Sequence, residues 1–137
     1  MSDLVVKTVD ELNPADVVML YRDAGWWHEG YSDDFIPDMI HNSEVFAVAL
    51  EDDKPVGMGR ALGDGISDAY IQDVVVLTSH RKSGIGSKII KHIIAELKMR
   101  DIDWIGLIGE PGTKPFYEKL GFELMQNYVP MKLNTDK

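Results

Sequence analysis

The sequence predicts a single α/β domain, residues 1–137, with a mixed, mostly antiparallel central sheet flanked by about four helices. Three observations favour this fold class. Segments with the apolar spacing of strands alternate along the chain with segments that have the spacing of helices. The length of 137 residues, 45% of them hydrophobic, suits one domain with one packed core. A run of isoleucines at helical spacing marks a long amphipathic helix in the second half of the chain.

The N-terminal third is predicted to hold one strand and two helices joined by an aromatic connection. Asn13 can cap the first helix, and Pro14 suits its first turn because proline has no N–H to leave unpaired there. Ser32 can cap the second helix, which has acidic residues in its first turn. The predicted strand, helix, aromatic connection and second helix are Leu4–Val9, Asn13–Gly25, Trp26–Tyr31 and Asp33–His41.

Three strands are predicted to follow as an antiparallel meander. Turn-forming residues separate them, first at 52–54 and then at 63–65. The third strand ends in three consecutive valines, residues 74–76, which are apolar on both faces and indicate the middle of the sheet. The predicted strands are Val45–Leu50, Pro55–Leu62 and Ala69–Leu77.

The rest of the chain is predicted to contain the isoleucine-striped helix, a strand, a short helix and one or two final strands. The apolar stripe of the long helix consists of Ile85, Ile89, Ile90, Ile93, Ile94 and Leu97. Thr113 can cap the short helix, which Gly121 ends. The predicted strands are Trp104–Ile108 and, within Phe122–Leu133, one or two more.

The composition excludes several classes of function. The absence of cysteine rules out disulfides, thiolate metal ligands and a cysteine nucleophile. The four histidines show no metal-ligand spacing, so we expect no metal. A net charge of −9 argues against nucleic-acid binding, which needs a basic surface. The sequence shows neither a signal peptide nor an apolar run long enough for a membrane span, and it predicts a cytoplasmic protein that does not bind membranes.

A glycine-rich loop predicts an anion site at the start of the isoleucine-striped helix. The first amides of a helix have no helical partner, and the helix dipole is positive there. Arg81 and Lys82 add positive charge, and no acidic residue occurs from Val74 to Ala95. The spacing of a nucleotide-hydrolase phosphate loop is absent, and a dinucleotide fingerprint would need glycine at Ile89. A plain turn before a helix is the alternative interpretation of the glycine pair alone.

Two motifs resemble those of the GNAT acetyltransferase superfamily. Arg81-Lys82-Ser83-Gly84-Ile85-Gly86 matches its Arg/Gln-x-x-Gly-x-Gly signature, and Val76 lies five residues before the arginine, as a strand valine or isoleucine does in the family. Phe116-Tyr117-Glu118-Lys119-Leu120-Gly121-Phe122 is similar to its Phe-Tyr-x-x-x-Gly-Phe segment. The predicted order of elements also matches, so the resemblance covers nearly the whole chain and implies a GNAT-like fold.

The resemblance implies that acetyl-CoA is the acetyl donor. It assigns the pyrophosphate of coenzyme A to the loop amides, and the pantetheine arm to the preceding strand. The corresponding residues are Arg81, Lys82, Ser83, Gly84, Ile85, Gly86 and Ser87 for the loop and Val74, Val75 and Val76 for the strand. It assigns the protonation of the leaving thiolate to Tyr117, for which a purely structural role in the core is the alternative. Glu110 departs from the family, because many members have a cofactor-contacting asparagine there.

The acceptor side of the site is less well determined by sequence. Some members of the family place a glutamate base on the third meander strand, where the nearest match is Tyr70. Tyr70 or Gln72 holding a water is one candidate for that role, and strand alternation predicts that Asp73 faces the opposite side. The family commonly borders its acceptor with the connection that here carries Trp26, Trp27, His28 and Tyr31; covering the core is the alternative role for those residues.

The sequence therefore predicts an acetyl-CoA-dependent N-acetyltransferase in which a bound primary amine, from a small molecule or a peptide, attacks acetyl-CoA directly in a ternary complex. A GNAT-like module that binds coenzyme A without catalysis, for sensing or assembly, is the first alternative. A structural domain without a cofactor is the second. Many members of the family are dimers, so a homodimer is one expected assembly, although no residue identifies an interface.

Overall fold

A five-stranded sheet with the order β1-β2-β3-β4-β5 forms the centre of the computed structural model, which describes residues 3–136. The first four strands pair antiparallel with their neighbours in sequence, and β5 pairs parallel to β4 after a helical crossover. The strands are β1 (Leu4–Thr8), β2 (Val45–Glu51), β3 (Lys54–Gly63), β4 (Asp68–Val76) and β5 (Trp104–Leu107). The predicted α/β class with a mixed, mostly antiparallel sheet is confirmed.

Four α-helices and one 3-10 turn complete the secondary structure of residues 3–136. They are α1 (Pro14–Asp23), α2 (Ile36–Asn42), the 3-10 turn Thr78–His80, α3 (Ile85–Met99) and α4 (Lys114–Glu118). Contacts divide the chain into two compact units, Met1–Leu107 and Ile108–Lys137. The first unit holds the whole sheet with α1, α2 and α3, and the second holds α4.

The turns of the meander form as predicted, each for a local reason. Asp52 and Asp53 have φ values of 50° and 69°, the left-handed conformation that a tight two-residue hairpin requires. In the next turn the Asp64 carboxylate accepts hydrogen bonds from the backbone amides of Ile66, Ser67 and Asp68 at 2.7, 2.8 and 3.2 Å. These bonds favour the ionised form and lower the pKa of Asp64 to about 2.

Helices cover both faces of the sheet within the first unit. On one face, α1 and α2 pack against buried side chains of β2, β3 and β4, including Phe46, Met58 and Val75. On the other face α3 approaches β3 closely. A Cβ added to Gly59 would lie 2.9 Å from Ile89 Cγ2 and 3.1 Å from Ile93 Cδ1, so a side chain there would have to displace these isoleucine side chains. The predicted isoleucine stripe is confirmed: its members in α3 are buried apart from Ile94, which is half-buried.

A β-bulge interrupts β4 opposite β3. Met58 pairs with Val75, whereas Arg60 pairs with Gln72, so β4 has one more residue than β3 between these pairs. Asp73 lies in the bulge with φ = 56°. The bulge shifts the alternation of β4, so Tyr70, Gln72 and Asp73 share the face of α1. The predicted placement of Asp73 on the face opposite Gln72 is therefore wrong.

Three other predictions about secondary structure need correction. Helix α2 begins at Ile36 rather than Asp33, and Ser32 instead accepts the Asp34 amide at 3.1 Å in a turn before the helix. Thr113 precedes α4 but does not cap it, because its hydroxyl donates to the carbonyl of Glu110 at 2.6 Å. No strand forms within residues 122–133, since a strand needs a ladder partner and this segment has none among the residues described.

Candidate active site

The loop before α3 presents unpartnered backbone amides, as the sequence predicts. The Lys88 amide closes the first helical hydrogen bond, with the Gly84 carbonyl at 3.1 Å, so the amides of Ile85, Gly86 and Ser87 precede the helical ladder. Gly84 has φ = 84°, which favours glycine, and a Cβ placed there would meet no atom within 4 Å. The backbone at Gly84 is thus open to an anion at the positive end of a 15-residue helix.

Carboxylates from other elements hold the base of this loop. The Asp23 carboxylate accepts hydrogen bonds from the amide and hydroxyl of Thr78 at 2.8 and 3.0 Å. The His80 ring contacts the Glu51 carboxylate with Nε2 and Oε1 3.1 Å apart. Arg81 donates from Nε to the carbonyl of Val76 at 3.2 Å, which connects the loop to the end of β4. The loop is therefore fixed by α1, β2 and β4. Lys82 and Ser83 remain exposed on it, and Lys88 is exposed in the first turn of α3.

The end of β4 extends beyond the part that pairs with β5. The β4–β5 pairing runs from Asp68 opposite Trp104 to Ile71 opposite Leu107, while β4 continues to Val76. Residues 74–76 pair only on the β3 side within the first unit, as Met58↔Val75 and Gly57↔Val76 show. The valines predicted to lie in the middle of the sheet therefore occur where β4 and β5 have separated. Polar backbone groups along that edge of β4 are the type of group that binds an extended amide-containing ligand.

Tyr117 lies on α4 in the second unit. Its ring packs edge to face with Phe116 and Phe122, with centroids 4.9 and 5.8 Å apart. Burial, followed by the negative charge of Glu110, raises the pKa of the Tyr117 phenol above its usual value of 10. Both causes favour the protonated form, so Tyr117 carries a proton that it can donate. The residue that departs from the family motif, Glu110, is thus one of the two causes that raise the pKa of Tyr117.

An aromatic pocket lies between α1 and α2 in the first unit. Trp27 is at its centre, with ring centroids 6.3 Å from Tyr21, 5.5 Å from Tyr31 and 6.2 Å from Phe35. The cavity has a volume of about 240 Å³ and is lined by Tyr21, Trp26, Trp27, Tyr31, Phe35 and Asp73. Trp26 and Trp27 also pack against the core, so the two roles considered for the aromatic connection are compatible.

A hydrogen-bonded network supports the Asp73 carboxylate at this pocket. Asp73 Oδ2 accepts from Arg60 Nε at 2.7 Å and from the Tyr21 hydroxyl at 3.0 Å. The side chains of Arg60 and Asp73 are 16% and 23% exposed, so their ion pair is well shielded from solvent. Burial, followed by the Asp73 charge, raises the pKa of the Tyr21 phenol far above its usual value, which keeps Tyr21 a donor.

The other residues predicted for acceptor binding lie outside this pocket. His28 is exposed and packs edge to face on Tyr31 with centroids 4.9 Å apart. Tyr70 is 51% exposed and packs on Trp104 at 5.2 Å, and Gln72 is also exposed. Of the six residues considered for the acceptor side, Trp26, Trp27 and Tyr31 line the cavity.

Four residues of the pocket region, Tyr21, Phe35, Arg60 and Asp73, were not predicted as site residues from the sequence. Phe35 lies inside the helix predicted for Asp33–His41, whereas α2 begins only at Ile36. Arg60 and Asp73 are the charged residues inside two strands that are otherwise mainly apolar at their centres, and this was the available signal. No group of three or more potential metal ligands occurs within residues 3–136. None of the helices in that range has both the length and the apolar content of a bilayer span.

The comparison with family models matches residues 42–124, more than half of the chain, to the acetyltransferase (GNAT) domain. The most similar curated relatives include GCN5-related N-acetyltransferase 1, chloroplastic, from Arabidopsis thaliana, which is 41% identical over 69 residues, 50% of this chain. Serotonin N-acetyltransferase 2, chloroplastic, from Oryza sativa subsp. japonica is 36% identical over 91 residues, 62% of this chain. The chain spans 35% and 44% of the lengths of these two relatives.

The comparison with solved structures finds the same fold over nearly the whole chain. An acetyltransferase of the GNAT family from Streptococcus pneumoniae superposes with a TM-score of 0.83 at 29% identity. The match covers 98% of this chain and 100% of that protein.

Proposed function

The chain belongs to the GNAT acetyltransferase family, and we propose that it transfers the acetyl group of acetyl-CoA to a primary amine. The observation that carries this proposal is the loop before α3. Its free amides, its exposed basic side chains and the open space above Gly84 suit the pyrophosphate of coenzyme A. We assign this contact to residues 81–87 and the pantetheine arm to the backbone of residues 74–76.

The reaction proposed is direct attack. The lone pair of the amine nitrogen attacks the thioester carbonyl carbon, and the bond from that carbon to sulfur breaks. The nitrogen loses one proton and the sulfur gains one, so that an amide and free coenzyme A result. The chain has no cysteine to carry the acetyl group, which favours direct transfer over a thioester enzyme intermediate.

Tyr117 is our candidate for the acid that protonates the leaving sulfur. It occupies the tyrosine position of the family's second motif, and its raised pKa keeps the proton on the phenol at neutral pH. A thiolate, whose thiol has a pKa near 8.5, accepts a proton from a phenol less readily as the phenol's pKa rises. Glu110 therefore makes Tyr117 a weaker acid than the same tyrosine with an uncharged neighbour.

We place the acceptor amine at the aromatic pocket. A net charge of −9 suits a cationic substrate, and the pocket offers apolar walls to the rest of the molecule. The rice relative is named for the acetylation of serotonin, an aromatic amine, which supports an amine of this type. His28, Tyr70 and Gln72 would then border the site without lining the cavity. We further propose a cytoplasmic location and a homodimer, which fractionation and size-exclusion chromatography with light scattering can test.

A thiol-release assay tests the proposed function. Because the chain contains no cysteine, a thiol reagent reports only the coenzyme A set free by acetyl transfer. We expect acetyl-CoA to bind in calorimetry and a panel of primary amines to stimulate thiol release. Binding without release for any amine would instead support a coenzyme A-binding module without catalysis. No binding of acetyl-CoA would contradict both.

A further inference from the structure

We propose that Asp73 binds the ammonium group of the acceptor and that the acceptor is a primary amine with a flat, apolar body. This inference rests on the proposed function and specifies its substrate class. It starts from the position of one carboxylate in a cavity whose other five lining residues are aromatic.

The geometry of Asp73 leaves one oxygen for a ligand. Within residues 3–136 the side-chain hydrogen bonds to Asp73 both end on Oδ2, from Arg60 and Tyr21. These two donors hold the carboxylate through one oxygen, and Oδ1 keeps its capacity to accept. A carboxylate held by the buried Tyr21 and the partly buried Arg60 binds a charged donor with little loss of side-chain freedom. Asp73 lies in the β-bulge with φ = 56°, and it lines the pocket from there.

The charge balance of the pocket favours a cation. Arg60 and Asp73 together are neutral, and Tyr21 stays protonated because burial raises the pKa of its phenol. The remaining walls are the faces and edges of aromatic rings, whose faces attract cations. An anion would have to lie near the Asp73 charge, and an uncharged ligand would gain less from Oδ1 than an ammonium does.

The walls also restrict the body of the acceptor. Trp27 lies nearly parallel to Tyr21 and Phe35, with interplanar angles of 13° and 19°, so the ring faces form layers. A cavity of about 240 Å³ lined by these rings suits one aromatic ring and a short alkylamine. A polyhydroxylated amine would bring many donors and acceptors into a pocket with few polar partners, which costs free energy. The geometry points to an arylalkylamine.

Paired ligands test this inference directly. Phenethylamine and 2-phenylethanol share a ring and a two-carbon linker and differ in the group that would meet Asp73. Two of the three tryptophans line the pocket, so intrinsic fluorescence can report the binding of both compounds, with and without coenzyme A. We expect the native protein to bind the amine about 10- to 100-fold more tightly than the alcohol, the range of a hydrogen bond to a charged group.

Asp73→Asn should abolish this preference, with amine affinity falling about 10-fold or more and alcohol affinity nearly unchanged. Asp68→Asn is the matched control, because it makes the same charge change at an exposed position of the same strand. It should keep the preference. Equal binding of amine and alcohol by the native protein, an unchanged preference in Asp73→Asn, or no binding of either compound would overturn the inference.

A second variant covers the case in which Asp73→Asn fails to fold because Arg60 loses its partner. Tyr31→Ala removes a wall that is 52% exposed and leaves the Arg60–Asp73–Tyr21 network intact. It should weaken the binding of both compounds while the amine stays the tighter ligand, and loss of that preference would contradict the assignment. These readouts need no acetyl transfer. A native protein that prefers the amine but releases no thiol would therefore disprove only the proposed function, and thiol release without the preference would disprove only this inference.

Discussion

The loop before α3 and the aromatic pocket both lie at connections between secondary-structure elements, but they present different groups to a ligand. The loop presents backbone amides, and its conformation depends on residues close together in sequence, such as Gly84 and Lys88. The pocket presents side chains, and its carboxylate is held by Tyr21, 52 residues away in sequence. A local motif can therefore identify the loop, whereas the pocket becomes visible only when the sheet and α1 are assembled.

This difference has a functional counterpart. Backbone amides bind any phosphate of suitable shape, and such a site can stay the same while substrates change. Side chains at a pocket determine which acceptor fits, and each can be replaced singly. We therefore expect substitutions in the loop to change the binding of the acetyl donor and substitutions in the pocket to change the binding of the acceptor.

The largest expected effect is on turnover, as distinct from the binding of acetyl-CoA or of the acceptor. Tyr117→Phe keeps the ring and its packing on Phe116 and Phe122 and removes only the hydroxyl. If Tyr117 donates a proton to sulfur, kcat should fall about 10²- to 10⁴-fold while acetyl-CoA affinity changes little. Stopped-flow and steady-state thiol release measure this. A thioester with a better leaving thiol should partly restore the rate, and full activity in a stable variant with rate-limiting chemistry would refute the role.

The next effect tests whether a phosphate of acetyl-CoA approaches the backbone of the loop at Gly84. Gly84→Glu puts negative charge where a phosphate would approach, and Gly84→Gln adds nearly the same bulk and the same strain at φ = 84° without charge. We expect calorimetry to show a loss of acetyl-CoA affinity about 10-fold larger for the glutamate, a difference of about 1.4 kcal/mol. Equal losses would mean that bulk or strain, not charge, is responsible, and unchanged affinity in both variants would remove the loop from the donor site.

A smaller effect is expected on the pocket side. Replacing Trp26 and Trp27 by alanine removes two of its walls, and the acceptor KM should rise about 10-fold or more with little change in the acetyl-CoA KM. Thermal unfolding is the necessary control, because both rings also pack on the core. A change confined to the acetyl-CoA KM would contradict the assignment of donor and acceptor to different regions.

The smallest effect concerns pH. An acid acts only while protonated, so activity that depends on Tyr117 should be lost as pH rises through its pKa, which burial and Glu110 raise above 10. We expect kcat to show no alkaline loss below about pH 10. Glu110→Gln removes one of the two causes, so the alkaline loss should begin at lower pH than in the native protein. A pH–rate profile of both proteins measures the displacement, and identical profiles would exclude electrostatic coupling of Glu110 to the reaction.

Local chemistry explains which parts of the fold were predictable. Asn13 accepts the Ala15 amide at 3.0 Å, and α1 begins at Pro14, because a cap and a proline act within one turn. The isoleucine stripe likewise determines the buried face of α3. Strand formation in residues 122–133 depends instead on a distant partner, which β propensity cannot supply.

The residues of the site likewise divide into those that a local motif predicts and those that depend on contacts between distant parts of the chain. The glycine loop and Tyr117 follow from motifs, whereas Asp73 was assigned to the wrong face because alternation assumes an unbroken strand. A bulge needs one extra residue relative to the neighbouring strand, and pairing with β3 is what reveals it. Arg60 had no visible partner in the sequence, since Asp73 reaches it only across the two strands.

The bulge makes β4 a strand with two phases, and this has a consequence for insertions and deletions. Before the bulge the even-numbered residues share the face of α1, as Tyr70 and Gln72 do, and after it the odd-numbered Val75 does. Deleting the codon for Asp73 would restore a single phase without rotating either half of the strand. Gln72, Val74 and Val75 would lie opposite Arg60, Gly59 and Met58 and keep the faces that they have now. A deletion at this position would thus remove the carboxylate of the pocket and leave the core side chains of the strand in place.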